Sequence, residues 1–447
     1  MAFAFSRLRS TTFVRNVAVL ASGTAMAQVV TVLAYPVLLR LYPPEAFGAL
    51  AVFGVVTMLS GMVGGWHYEG AAILVKTEEE AANLLALAIA LVLGTTVAAT
   101  MAVAGFGEDM LRLFGAGHPD ELLMWLPPAV LIFGLYATQL CWATRHKRFP
   151  LLSAGMICRS AGVAGVQLAA GFAGLGAAGL LGGVLLGQTA ALALLAGYTL
   201  RNHLGLFRNM VSLRRMARMA RAHRRFPLYS LPAGLLSSSI VTIPSLFLAT
   251  WFGPAVAGLY WFAYRLLEMP LTLLGGTTNR VLHRHLVEVH HEGKPILGLF
   301  LRATGWMALL AAGPALVLFA VAPPLFEIAF GAAWRPAGTY AQWIALWWFA
   351  RFASFPSLAV IPILHLQRLL LIGESVAMVP RLLVIPLAAR LASPAQAPEI
   401  AVAAFALVGA VFSAVCVLAV WLILRAREEA GGAIQASPPA GRIEWGD

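Results

Sequence analysis

The chain has 447 residues, of which 60% are hydrophobic and only 11% charged, with a mean hydropathy of +0.82. That much apolar surface exceeds what a water-soluble core hides, so a soluble globular protein is excluded and a bilayer is required. The formal charge of +12 belongs with anionic lipid at one membrane face, and nucleic acid is excluded as a partner.

A spanning helix needs about 20 mainly apolar residues. Twelve such runs are read along the chain, at 17–39, 47–66, 82–104, 121–143, 150–172, 177–199, 227–250, 257–279, 299–322, 339–365, 369–389 and 399–424. They are too long and too rich in Ala, Leu and Gly for barrel strands of about 10 alternating residues. The expected fold is an all-α polytopic membrane protein of about twelve transmembrane helices. Thr24 to Ala27 resembles a signal-peptidase site behind Arg7, Arg9 and Arg15, but the apolar run continues to Leu39, so the first helix is expected to be retained. Glu78, Glu79 and Glu80 open the third helix, where they complement its dipole. Pro127, Pro128, Pro244, Pro362 and Pro386 fall inside runs and predict kinks. Cys141, Cys158 and Cys416 also fall inside helices, which leaves no disulfide framework.

An even helix number puts both termini on one side, and basic residues mark the cytoplasmic side. With the amino terminus inside, 23 of the 31 Lys and Arg residues fall in cytoplasmic segments, four (Arg40, Arg112, Arg335 and Arg390) outside and four in the membrane. The densest cluster, from Arg201 through Arg214, Arg215 and Arg218 to Arg225, joins the sixth and seventh helices.

The chain also repeats itself. LLRLYPPEAFGAL at 38–50 and LATWFGPAVAGLY at 248–260 share their leucine, proline and glycine at an offset of 210, which also pairs Arg15 with Arg225. Phe114-Gly115-Ala116 matches Phe330-Gly331-Ala332 at 216, with Pro119 and Pro336 behind, and Arg148 matches Arg368 at 220. Offsets that drift in order describe a duplicated six-helix unit with small loop insertions. Residues 1–200 are expected to form one lobe, 201–226 a basic cytoplasmic linker, 227–424 a second lobe and 425–447 a disordered cytoplasmic tail. Two parallel lobes predict alternating access, with the site between the halves.

Charges inside a bilayer cost at least about 2.5 kcal/mol and mark functional sites. Arg159 lies about 14 Å into its helix at 1.5 Å per residue; Arg351 and Arg381, each twelve residues into its run, are deep as well, and Arg265 shares a helix face with Glu268 three residues on. Glu374 precedes Arg381 by two turns, about 10 Å, which suggests a water-lined cavity rather than direct contact. Arg159, Arg265, Arg351 and Arg381 against Glu268 and Glu374 leave a net charge of +2. The guanidinium fork pairs with phosphate or carboxylate in a bidentate manner, so the cavity suits an anionic cargo. The competing reading pairs each arginine with backbone carbonyls or buried amides such as Gln167 and Gln188. His283, His285, His290 and His291 lie in a polar loop and read as a solvated face. Neither a Gly-rich phosphate loop nor Cys/His metal spacing is present, so no metal or other cofactor is expected.

The stretch Phe13-Val14-Arg15-Asn16, Leu20 to Thr24, Ala27-Gln28, Pro36, Arg40 to Gly48 and Tyr68-Glu69 resembles the polysaccharide-transporter, or oligosaccharide flippase, family. That family belongs to the multidrug/oligosaccharidyl-lipid/polysaccharide exporter superfamily, and the resemblance implies a MATE-like pair of six-helix lobes. It implies translocation of a polyprenyl-diphosphate-linked oligosaccharide across the bacterial inner membrane, for lipopolysaccharide or another surface polysaccharide such as O-antigen or exopolysaccharide. Membrane lipids and polysaccharide assembly proteins would be further partners. The family's Arg-Tyr-Glu after the second helix stands here as His67-Tyr68-Glu69; with Gln28, Glu69 joins Glu268 and Glu374 as secondary site candidates. Two alternatives are weaker. A drug/organic-cation antiporter of the same superfamily would want a deep carboxylate in the first lobe, and none is read there. A polysaccharide polymerase or ligase would want a large outside loop, and those here do not exceed about 16 residues by the run boundaries.

Overall fold

The computed structural model describes residues 11–114, 121–269, 295–364 and 366–429, together with Leu286 and Val289. Among the described residues there are helices and no strands, and nine helices are long and apolar enough to cross a membrane. The chain divides into two compact units, Met1–Trp261 and Phe262–Asp447. The Gly115-Ala116 half of the first Phe-Gly-Ala turn, Pro119, the four loop histidines, residues 270–279 of the eighth run and residues 430–447 of the tail lie outside the described residues.

In the first unit, α1 (Thr11–Leu41) leads into α2 (Pro44–Val63), then the short α3 (Tyr68–Leu74) and the long α4 (Glu78–Phe114). Next come α5 (Leu126–Arg145), α6 (Phe149–Phe172), α7 (Gly176–Met210), the linker helix α8 (Leu213–Ala222) and α9 (Leu231–Phe252). The starts follow from local chemistry. Pro44 occupies the first turn of α2, where its missing N–H costs nothing. Thr77 and Glu80 form a reciprocal cap on α4, each side chain accepting from the other's backbone N–H. Pro127 and Pro128 likewise sit in the first turn of α5, so they begin that helix rather than kink it. Pro244 does lie inside α9, as expected.

Small residues let these helices approach. On the facing sides of α6 and α7, a Cβ on Gly162 would lie 3.1 Å from the Gly187 Cα, and one on Gly187 would lie 2.9 Å from the Arg159 carbonyl oxygen. Without a hydrophobic drive between helices in lipid, such backbone contact is what holds them. The same device joins the two copies of the repeated turn. A Cβ on Gly48 would overlap the Pro254 carbonyl oxygen, and one on Gly258 would overlap that of Pro44 and lie 2.7 Å from the Gly48 amide nitrogen. Each glycine thus meets the proline that corresponds, at the 210 offset, to its own helix start. Gly253, at φ 88°, ends α9 and admits the turn into the helix at 254–269, here α10. Because α9 and residues 254–261 pack on α2, the first compact unit runs to Trp261, past the 201–226 linker.

The second unit continues α10 and adds α11 (Leu297–Phe330), α12 (Arg335–Ala353), α13 (Phe355–Val360), α14 (Gln367–Leu391) and α15 (Ala397–Glu429). Phe262 wedges edge-on among Phe326, Phe330 and Trp334, at 5.0–5.8 Å between ring centroids. Gly331, at φ 105°, turns α11 into α12. The run at 339–365 is not one helix: Ser354 breaks it, donating its hydroxyl to the Arg351 carbonyl at 2.7 Å, and Pro362 sits in a turn after α13. Pro386 does lie inside α14. Residues 425–429 of the expected tail extend α15, with Arg425 paired to Glu429 at 2.7 Å.

Candidate arginine sites and a buried carboxylate

The four membrane arginines have four different surroundings. Arg159, on α6, is exposed, and among the described residues it has no ion pair. Its backbone faces the glycines of α7, which turns its side chain away from that crossing. The buried amides do not neutralise it. The Gln167 side-chain amide donates to the Leu180 carbonyl at 3.0 Å, and its backbone carbonyl accepts from the Tyr42 hydroxyl at 2.7 Å. Gln188 is buried with neither amide atom bonded, and Gln28 leaves its buried carbonyl oxygen without a donor.

In the second unit Arg265 pairs with Glu268 at 2.8 Å, as the spacing of three predicts. Arg381 is only 1% exposed, and Glu374 stands 3.6 Å from it, so direct contact replaces the expected separation of two turns. The long guanidinium stem reaches back along the helix to close the gap, and burial makes this pairing necessary. The Arg381 guanidinium also lies over Trp347 and Phe412, at 5.4 and 5.5 Å from the ring centroids. Arg351, half-buried in the last turn of α12, lies over Trp348 at 5.8 Å. Tyr264 stacks against both tryptophans, and Trp347 seats itself on Gly409 of α15. Trp347 and Trp348 therefore gather Arg351 and Arg381 into one aromatic cluster. The indole Nε1–H groups of both tryptophans are buried without an acceptor among the described residues.

The second feature is Glu69. It is outside the spanning helices, on α3 in the elbow between α2 and α4, yet only 5% exposed. Its Oε2 has no hydrogen-bond partner. A Cβ on Gly65 would overlap that oxygen and lie 3.5 Å from the Ala88 Cβ, so the carboxyl fills a close, apolar slot. Burial pushes its pKa from 4.5 up to about 7, opposed only by its own backbone N–H. Trp66 and His67 reach the elbow with φ of 53° and 62°, which few side-chain-bearing residues adopt. His67 Nε2 is buried without a partner, and burial lowers its pKa.

A model of the polysaccharide biosynthesis protein family matches residues 37–338. The chain belongs to that family. No curated protein matches it in sequence. Among solved structures, this family member is similar to the lipid II flippase MurJ in an inward closed conformation, with a TM-score of 0.68 at 11% identity over 92% of this chain and 90% of that one. It is also similar to an outward-facing multidrug resistance MATE family transporter of the MOP superfamily, with a TM-score of 0.55 at 13% identity over 93% and 96%. A third is a MOP superfamily transporter from Pyrococcus furiosus whose binding pocket is described as reversed in polarity, with a TM-score of 0.52 at 13% identity over 93% and 96%. The fold is therefore that of these membrane transporters, and the expected architecture stands.

Two parts of the candidate sites escape sequence reasoning. The aromatic cluster is foreshadowed only by the adjacent Trp347-Trp348, which reads as ordinary apolar filling. Glu69 is a secondary candidate through the resemblance alone; its burial escapes, because it lies outside any apolar run. Its signal is Gly65, four residues earlier on the same side of the elbow.

Proposed function

We propose that this polysaccharide biosynthesis protein is a flippase that moves a polyprenyl-diphosphate-linked oligosaccharide across the bacterial inner membrane for lipopolysaccharide or other surface polysaccharide assembly. The observation that carries this reading is the family match over 37–338. The transporter fold, shared with a flippase of lipid II, supports it. Lobes 1–200 and 227–424, tethered by 201–226, alternate in access, and both termini face the cytoplasm. The pseudo-symmetric contact of Gly48 and Gly258 supports the duplication on which that division rests.

Arg159, Arg265 and Arg351 are the cargo-facing arginines in this reading, because each leaves its guanidinium partly or fully accessible. Arg381, buried against Glu374 and Trp347, positions the cluster from behind. A diphosphate accepts the bidentate guanidinium bonds, and a sugar face stacks on tryptophan. The polyprenyl chain stays in lipid, so only the head group needs a polar path.

The test is reconstitution into proteoliposomes with a fluorescent polyprenyl-diphosphate oligosaccharide and a membrane-impermeant quencher. Protein-dependent loss of the protected fraction is expected. Intact, correctly inserted protein that leaves this fraction unchanged, while exchanging an organic cation instead, would establish the antiporter reading. Reporter fusions after Arg218 and after Arg427 are both expected to report cytoplasm; either one reporting periplasm overturns the orientation.

A further inference from the structure

The linker helix α8 carries four arginines in ten residues, and only one of them is answered. Arg215 pairs with Glu79 at 2.6 Å and donates to the Met210 carbonyl at 3.2 Å. Arg214, Arg218 and Arg221 are exposed, and none of them has an ion pair among the described residues. Intervals of four and three stack them on one helix face, where like charges repel. Residues 201–226 contain no Asp or Glu that would relieve the repulsion locally. The helix is also shorter than the about 12–15 residues that are marginal in water alone, so its stability comes from what lies around it.

The opposite face supplies part of that support. The buried Asn83 of α4 donates to the Met210 carbonyl at 2.9 Å and accepts from the Ser212 N–H at 3.1 Å, which fixes the corner between α7 and α8. The Tyr68 hydroxyl of α3 donates to the Ala220 carbonyl at 3.1 Å, and Met219 and Ala220 pack on the cluster that holds Tyr68, Leu84 and Ala88. These contacts also set the depth. Leu84 and Ala88 lie inside the apolar run that begins at residue 82, Ala88 about 9 Å along it, so α8 lies at the boundary between hydrocarbon and headgroups. Leu213 and Arg215 leave the helix on opposite flanks, since two residues turn it by about 200°. Arg215 points back to Glu79 at the hydrated end of α4, whereas Leu213, 81% exposed, faces the other way, toward lipid. The exposed Tyr229, just past the linker, is of a type that settles at the same interface.

Guanidiniums at this level meet phosphate, which accepts their paired N–H bonds. A soluble polyanion fits the face less well. It would approach over the acidic start of α4, Glu78 to Glu80, and leave Leu213 bare. We propose that Arg214, Arg218 and Arg221 form a binding face for anionic phospholipid headgroups, and that these lipids are the counter-charge that keeps the linker helical. Phosphates hold one face of α8 while α3 and α4 hold the other. In neutral lipid the arginine ladder repels itself and the helix frays. The binding is independent of what the protein transports; that the lipids belong to the cytoplasmic leaflet rests on the proposed orientation.

The experiment uses the full-length protein and no cargo, so its failure and the failure of the flippase reading are distinguishable. Hydrogen exchange of residues 213–222 is compared in nanodiscs of phosphatidylcholine alone and in discs with about a third phosphatidylglycerol. Exchange is expected to slow at least about fivefold in the anionic discs, the factor that one arginine near such a surface contributes, while residues 84–92 exchange alike in both. With Arg214→Gln, Arg218→Gln and Arg221→Gln combined, lipid charge is expected to make no difference, and residues 84–92 report that the lobe is intact. The wild-type comparison stands without that variant. A photoactivatable phosphatidylglycerol is expected to label residues 213–225 at least about fivefold more than a phosphatidylcholine probe with the same chains. Equal exchange in the two lipids, equal labelling by the two probes, or a triple variant as sensitive to lipid charge as wild type would each overturn the proposal. So would equal protection by soluble polyglutamate in neutral discs, which would give the face to a partner from the water side.

Discussion

Adding a single methyl group at Gly48 tests the crossing of the two repeated turns. The new Cβ would overlap the Pro254 carbonyl oxygen, and at Gly258 the overlap falls on the Pro44 carbonyl and the Gly48 amide. These are backbone atoms and cannot rotate away, so the helices must part. Overpacking of this kind costs about 1–3 kcal/mol per site, which shifts an equilibrium between touching and parted helices by about 5- to 150-fold. Gly54, on the same helix, is the control, since a methyl there meets only the Trp261 Nε1 at 4.0 Å. The assay is the rate of disulfide formation between cysteines placed at Ala46 and Val256 in a background lacking Cys141, Cys158 and Cys416. Gly48→Ala and Gly258→Ala are expected to slow cross-linking at least about fivefold, and Gly54→Ala to leave it unchanged. The reference cross-link is also expected to block export reversibly. If both alanine variants cross-link at the reference rate, the crossing is looser than the structure has it and cannot serve as a gate.

Arg159→Ala and Arg351→Ala are expected to reduce surface polysaccharide while membrane levels stay near wild type, measured by immunoblot of both. Arg381→Ala instead strands Glu374 and empties the space against Trp347 and Phe412, so it is expected to lose about 3 kcal/mol of stability; an unchanged Tm in detergent would contradict the buried pairing. Gln188→Leu replaces an amide with no partners by an apolar side chain of similar size, and is expected to raise stability by about 1 kcal/mol; a lowered Tm would mean that the amide is bonded in the membrane. Glu69 binds its proton more tightly folded than unfolded, so stability should fall as pH rises from 4.5 to about 7 and then level off. The full effect is about 3 kcal/mol, and Glu69→Gln should remove it; parallel Tm profiles for the two proteins would show that the carboxyl is hydrated.

All twelve apolar runs meet a helix at least in part, because lipid leaves a backbone no alternative to internal hydrogen bonding, and composition alone carries that signal. The repeat was legible too, since Pro44 and Pro254 open the helix after each turn and Gly48 and Gly258 let those helices touch, wherever the unit recurs. The pairing of Arg265 with Glu268 follows from helical spacing. What tertiary structure decided is which charges are answered. Glu374 reaches Arg381 because both side chains bend along one helix face under aromatic cover, a matter of rotamer and packing that spacing does not encode. Ser354 ends α12 inside an apolar run, since hydropathy is blind to a helix break whose ends are buried in protein. Glu69 sits outside every apolar run and is nonetheless among the more buried acids, because Gly65 of its own elbow and Ala88 of α4 close on its carboxyl. A hydropathy profile measures what each residue prefers; only the fold determines whether water reaches it.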